Sequence, residues 1–154
     1  MLIPILTAIH VIGVVIWIGG VAFVTLVIFP MLAKTESSLE QVLLFQRVEH
    51  RFAKIAKICI AVVGLSGLWL LHLRSEWGLL FTLNGIGPTV MLTVWIFYVM
   101  VLLLESRLFK IIFGKREQKD TKKIFYKLTL FHWIILILSL TAVGIGTWAG
   151  HGGI

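Results

Sequence analysis

The sequence predicts an all-α integral membrane protein, an antiparallel four-helix bundle that forms a single transmembrane domain over residues 1–154. Three observations predict it. The mean hydropathy is +1.03 and only 14% of the residues are charged, less polar material than a water-facing surface needs. Four apolar stretches, at about 2–32, 48–73, 86–113 and 122–149, each reach the roughly 20 residues that cross a hydrocarbon core. The connections between them are short, which favours up-and-down packing and sets helices one and three, and two and four, on the diagonals. Buried helices of a water-soluble protein are the competing reading, and it fails because too little polar sequence is left to cover them.

The first stretch has no cationic start and no small-residue cleavage site, so it is expected to be retained as a helix ending near Pro30. At helical spacing His10, Gly13, Trp17, Gly20 and Val24 share one face, with Gly19 beside it. Small residues there let a neighbouring helix or a flat cofactor come close. Residues Thr35 to Leu44 read as a short amphipathic segment on the inner membrane surface, with Ser37 or Ser38 as its cap and Glu40 in its first turn. In the second stretch His50 and His72 are 22 residues apart, which at about 100° per residue returns to within about 40° of one face. Lys54, Ile58, Ala61, Leu65 and Trp69 fill the stripe between them, and the expectation is that this stripe lines the bundle. It reads equally as an ordinary buried stripe.

The connection from Arg74 to Pro88 carries Trp77 and the turn-like Asn84–Pro88 run, the pattern of a compact interfacial loop with an aromatic anchor. Trp148 marks the same level on the fourth stretch. There His132, Ser139, Val143, Gly146 and Gly150 repeat the one-sided pattern of the first helix. Residues 114–123 read as a solvated charged link.

Charge sets the orientation. Of the 14 Lys and Arg residues, thirteen lie between the first and second stretches or from the end of the third into the fourth, and Arg74 alone lies between the second and third. By the positive-inside rule both termini are expected outside, as in a bacterial inner membrane. The net charge of +7 is thereby a topology signal that also suits anionic headgroups, and it calls for no nucleic acid.

The chemistry lies in the five histidines, because an ionisable group within a membrane is costly and so marks a functional hypothesis. His10, His72 and His151 fall toward the outer side, and His50 and His132 toward the inner. Haem is the cofactor that such a set suits: neutral imidazole binds its iron axially, and a four-helix bundle offers a porphyrin an apolar slot. The expected pairs are His10 with His72, with His151 as a substitute, and His50 with His132. Arg47, Arg51, Lys54 and Lys57 stand near the inner site for propionates, Arg74 near the outer one, and Trp17 and Trp69 line the slots. A histidine at a helix end is also often a snorkelling polar residue. Glu105 is expected to pair with Arg107, Arg51 or His50, with a proton relay as its alternative role. Cys59 is alone, without a CxxC motif. The four methionines are scattered, which argues against a clustered copper path. There is no HExxH, P-loop or GxSxG motif, so the catalytic residues are unknown.

Residues Ala8 to Pro30 (AIHVIGVVIWIGGVAFVTLVIFP) resemble the opening helix of the membrane family that includes the CopD copper-resistance domain and the HemJ-type protoporphyrinogen oxidases. Arg51 to Leu70, with its basic entry and Gly-containing exit, resembles that family's second helix. The resemblance covers about half of the chain. It implies a four-helix fold and, by analogy with the HemJ branch, a b-type haem on His10. The chain departs from that branch in having no Lys or His between Ile86 and Leu104.

The expected function is therefore a membrane b-type cytochrome with one or two haems, exchanging electrons with a quinone or another redox protein. The alternatives are copper or other metal-ion handling, zinc at the outer histidines included, and porphyrinogen oxidation. Membrane lipid is the expected surrounding, and a homo-oligomer is compatible with the sequence.

Overall fold

The computed structural model describes the backbone of residues 1–34, 38–113 and 121–151, with side chains at 1–34, 43–104 and 125–151. Among the described residues four helices are long and apolar enough to cross a membrane, and they form an all-α bundle. They are α1 (Leu2–Ala33), α2 (Ser38–Leu73), α3 (Ile86–Phe113) and α4 (Thr121–Gly150). The principal contacts join α1 to α2 and α3 to α4, with lesser ones joining α2 to α3 and α1 to α4. That ring leaves α1/α3 and α2/α4 on the diagonals, as short connections require. One end of the bundle carries Met1, Leu73, Ile86 and Gly150 and is called the terminal end. The other carries Lys34 and Arg47 and is called the basic end.

Helix boundaries differ from expectation at one place. The amphipathic segment near residues 35–44 is not a separate element, because α2 runs unbroken from Ser38 rather than from 48. No Gly or Pro interrupts the chain between Ser38 and Val63, so nothing stops the helix once it starts. Residues 35–37, the side chains of Glu40, Glu105 and Arg107, and the charged link at 114–120 lie outside the described residues.

α1 contains one wide turn, a π-helical segment at Val24–Ile28 in which the Phe29 N–H donates to the Val24 carbonyl. Pro30 follows at once, and its ring would press on the carbonyl of residue 26 in a regular helix. The wider turn relieves that clash. Thr25, buried there, donates its hydroxyl to the Val21 carbonyl at 2.7 Å.

Lipid tails are as apolar as leucine, so burial of apolar surface drives little of the association, and packing with interhelical hydrogen bonds carries it. Each strongly paired side of the ring has such a bond or a close backbone approach. His10 on α1 bonds to α2. Trp95 Nε1 on α3 donates to the Ile60 carbonyl on α2 at 2.8 Å. Tyr98 on α3 and Ser139 on α4 lie 2.6 Å apart, and since Ser139 donates to the Ile135 carbonyl, the phenol is the donor between them. Glycines permit the approach: a Cβ on Gly13 would meet Val63 at 2.8 Å, and one on Gly20 would collide with Phe52. Gly64 likewise seats the indole of Trp95, and Gly146 seats Met91. Gly19 faces open space. The small residues thus admit neighbouring side chains.

Two cores result. Trp17, Val21, Ile60, Val63, Tyr98 and Leu136 fill the middle, with Trp17 edge-on to Tyr98 at 4.2 Å across the α1/α3 diagonal. Val24, Ile28, Phe29, Leu32 and Phe45 fill the basic end, with Phe52, Phe125 and Leu128 against them.

Between α2 and α3, two short 3-10 turns at Glu76–Leu79 and Leu83–Gly85 make a folded loop. Phe81 is held at a φ of 63°, where its N–H donates to Thr89 Oγ1 at 2.9 Å. A Cβ on Gly85 would run into the Leu79 carbonyl, so this position admits only glycine. Trp77, Phe81 and Leu83 project outward from the loop, in keeping with an aromatic anchor at a membrane interface.

Candidate functional site

The terminal half of the bundle holds a half-open cavity of about 640 Å³, within the range of small-molecule and cofactor sites. All four helices and the 74–85 loop wall it. Its sides are largely apolar, among them Val14, Leu68, Met91 and Trp95, and its polar side chains are those of Thr7, His10, Arg74, Glu76, Asn84, Ser139, Thr147 and His151.

His10 is the most constrained of these. Its Nδ1 lies 3.0 Å from the Val63 carbonyl and 3.1 Å from Ser66 Oγ. A carbonyl oxygen only accepts, so Nδ1 carries the proton and Nε2 keeps the lone pair. This is the arrangement that fixes a ligating imidazole elsewhere: one nitrogen tied to the backbone, the other free for a metal. Gly67 makes room for the ring, since a Cβ there would lie 3.1 Å from His10 Cε1. Ser66 is buried and donates in turn to the Val62 carbonyl at 2.7 Å, which keeps its oxygen oriented.

The other expected site residues divide sharply. Trp17, Arg74 and His151 border the same cavity as His10. His151 also ties Nδ1 to a carbonyl, that of Thr147, at 2.8 Å, and Arg74 stands 4.0 Å from Glu76. His72 and Trp69 do not border it; both are exposed on the outward side of α2. The stripe expected to line the bundle, from His50 through Lys54, Ile58, Ala61, Leu65 and Trp69 to His72, is exposed throughout. The inward face of α2 is instead Ala56, Cys59, Ile60, Val63, Gly64 and Ser66. The physical reason is size: small residues allow the backbones of α1 and α3 to approach, and bulky Leu65 and Trp69 are accommodated by lipid.

The pair of His50 with His132 is not formed, since His50 is exposed on that outward side. His132 donates Nδ1–H to the Leu128 carbonyl of its own helix at 2.9 Å. Its ring is boxed by Phe29 at 4.9 Å and Phe131 at 5.9 Å, both edge to face. Arg47, Arg51 and Lys54 lie exposed with His50 and do not reach a slot beside His132.

Gly64, Gly67, Met91 and Trp95 line the cavity, and Ser66 holds His10, without having been expected from sequence. The Gly64–Gly67 run was their available signal: two glycines and a serine within four residues of an apolar span mark a face that touches protein. Among the described residues no three His, Cys, Asp or Glu side chains gather as the ligands of an ion do.

Comparison with protein-family models, curated proteins and solved structures finds no match for this chain.

Proposed function

We propose that the chain is a small b-type haem protein of a membrane, with one haem in the terminal-end cavity and His10 as its axial ligand. The observation that carries the reading is the His10 ring itself, tied through Nδ1 to Val63 and Ser66, with Nε2 outside those bonds and the residue bordering a largely apolar cavity of about 640 Å³. Haem needs one or two axial donors rather than a cluster. His151, which borders the same cavity beyond the end of α4 and has the same tautomer imposed by the Thr147 carbonyl, is the candidate for the second. Arg74 at the rim supplies the cation that a propionate seeks.

Bound haem supplies a one-electron iron couple. The chain's own residues do the rest: Val63 and Ser66 hold the imidazole in one tautomer, which raises its basicity as a ligand. The apolar side chains of Val14, Leu68 and Trp95 would limit the water around a bound haem and so influence its potential. One haem is proposed rather than two because aromatic rings fill the basic half around His132. The electron partner is a quinone or another redox protein, and the thirteen of fourteen cations that fall in sequence between the first and second spans or from the end of the third into the fourth support termini outside, as in a bacterial inner membrane.

Copper handling and porphyrinogen oxidation stand behind this reading. The first would draw on His10, His151, Glu76 and Met91 around the cavity, but among the described residues no three His, Cys, Asp or Glu side chains gather there, and α3 brings no Lys or His to the cavity where an oxidase of the HemJ type is expected to place a ligand.

Haem titrated into detergent-purified, haem-depleted protein should give a Soret band that saturates at one haem per chain, with a reduced-minus-oxidised spectrum of b type. Saturation at two would contradict the single site. No Soret band, with copper alone bound at His10, would replace the haem reading by the ion-handling one.

A further inference from the structure

The outward stripe of α2 is unused by the cavity, and its composition changes along its length. At about 100° per residue, Arg47, Arg51, Lys54, Ile58, Ala61 and Leu65 fall within an arc of about 80°. All six are exposed; Ile58 and Leu65 keep 66% and 71% of their surface, so no other part of the described chain packs on them. The face is cationic over its first two turns and apolar thereafter. From Arg47 to Leu65 it contains no carboxylate, since Glu49 lies on the opposite side of the helix at this spacing.

We propose that this stripe binds one anionic phospholipid lengthwise, its phosphate and headgroup on Arg51 and Lys54 with Arg47 beyond, and an acyl chain along Ile58, Ala61 and Leu65. Charge complementarity names the occupant. Three cations with no carboxylate among them favour a lipid of net negative charge over a zwitterionic one, whose own ammonium would be repelled. Length agrees: Lys54 to Leu65 is about 16 Å at ~1.5 Å per residue, and one leaflet of a ~30 Å hydrocarbon core is about 15 Å deep. An acidic protein surface would match the cations but not the apolar continuation. The site does not rest on the haem reading, for it lies on the other side of α2 from His10.

The test uses the full chain in detergent, titrated with dioleoylphosphatidylglycerol or dioleoylphosphatidylcholine and read as retained lipid adducts by native mass spectrometry. Wild type should retain the glycerol lipid and not the choline lipid. Arg51→Gln with Lys54→Gln should weaken retention roughly thirtyfold, from about a tenfold-or-less loss per removed cation. Lys54→Arg, which keeps the charge, should retain it, as should Lys127→Gln, which removes an exposed cation from α4. Glycerol 3-phosphate, a headgroup without chains, should not compete at equal concentration. Equal retention of the two lipids, an unchanged double variant or an equal loss in Lys127→Gln would overturn the proposal. Competition by glycerol 3-phosphate would overturn the lengthwise pose. The substituted side chains are exposed, and a circular dichroism spectrum and thermal midpoint equal to wild type are the condition for reading the double variant; if it fails that condition, Arg47→Gln with Arg51→Gln takes its place.

Discussion

The two halves of the bundle each hold a histidine whose Nδ1–H is tied to a backbone carbonyl, and there the likeness ends. In the terminal half His10 reaches across to α2 and stands on the wall of an apolar cavity. In the basic half His132 bonds within its own helix, and phenyl rings close around it. The same local chemistry therefore has two outcomes, decided by what surrounds the second nitrogen. Space beside His10 leaves room for the ligand role proposed for it; packed rings leave His132 as a polar group in a core. A histidine at membrane depth is thus a prompt to look for volume, and depth alone does not distinguish the two cases.

Filling the terminal half should have the largest effect. Val14→Trp puts a large ring into the cavity from α1, one helical turn from His10, and haem affinity should fall more than a hundredfold in the Soret titration while far-UV circular dichroism stays unchanged. Unaltered binding would mean that the haem lies elsewhere. The complementary change empties the other half: Phe45, 1% exposed, anchors the basic-end core between Phe29 and Phe125. Phe45→Ala should cost on the order of 2 kcal/mol of stability, less than the ~3–5 kcal/mol of a water-soluble core because lipid replaces water around the unfolded helices. Haem per chain should not change. A drop in haem content with a normal thermal midpoint would show that the basic half takes part in binding.

The smallest effect sharpens the comparison at His10. Ser66→Ala removes one of two acceptors near Nδ1 and leaves the Val63 carbonyl in place. A hydrogen bond between membrane helices averages about 0.6 kcal/mol, so haem affinity should fall about threefold, with the Soret maximum nearly unmoved. A loss beyond thirtyfold would make Ser66, rather than the Val63 carbonyl, the group that orients the ring.

Much of this was legible in the residues. The four spans follow from length and hydropathy alone, and the inward stripes of α1 and α4 follow from small and polar residues at helical spacing: Gly13, Trp17 and Ser139 are all buried. The facing of α2 was not legible from its histidines. In lipid both faces of a helix are apolar, so hydrophobic periodicity does not say which one is inside. His50 and His72 share a face, but that face is set by Ile58, Leu65 and Trp69, which are too bulky for a close interface. Cys59, Gly64, Ser66 and Gly67 carried the opposite and correct signal. The cavity itself was beyond sequence reasoning, because it depends on how Trp95 and Met91 seat against Gly64 and Gly146, contacts between helices that no single span records. The start of α2 was missed for a simpler reason: charged residues after Ser38 mark a boundary for the membrane and none for the helix.

One haem site in the terminal half makes haem content per chain differ between His10→Ala and His132→Ala, measured as the pyridine haemochrome on protein purified in parallel. His10→Ala should lose its haem and His132→Ala should keep a full complement of one. Haem retained in His10→Ala, or lost in His132→Ala from protein that remains folded, would contradict that single site.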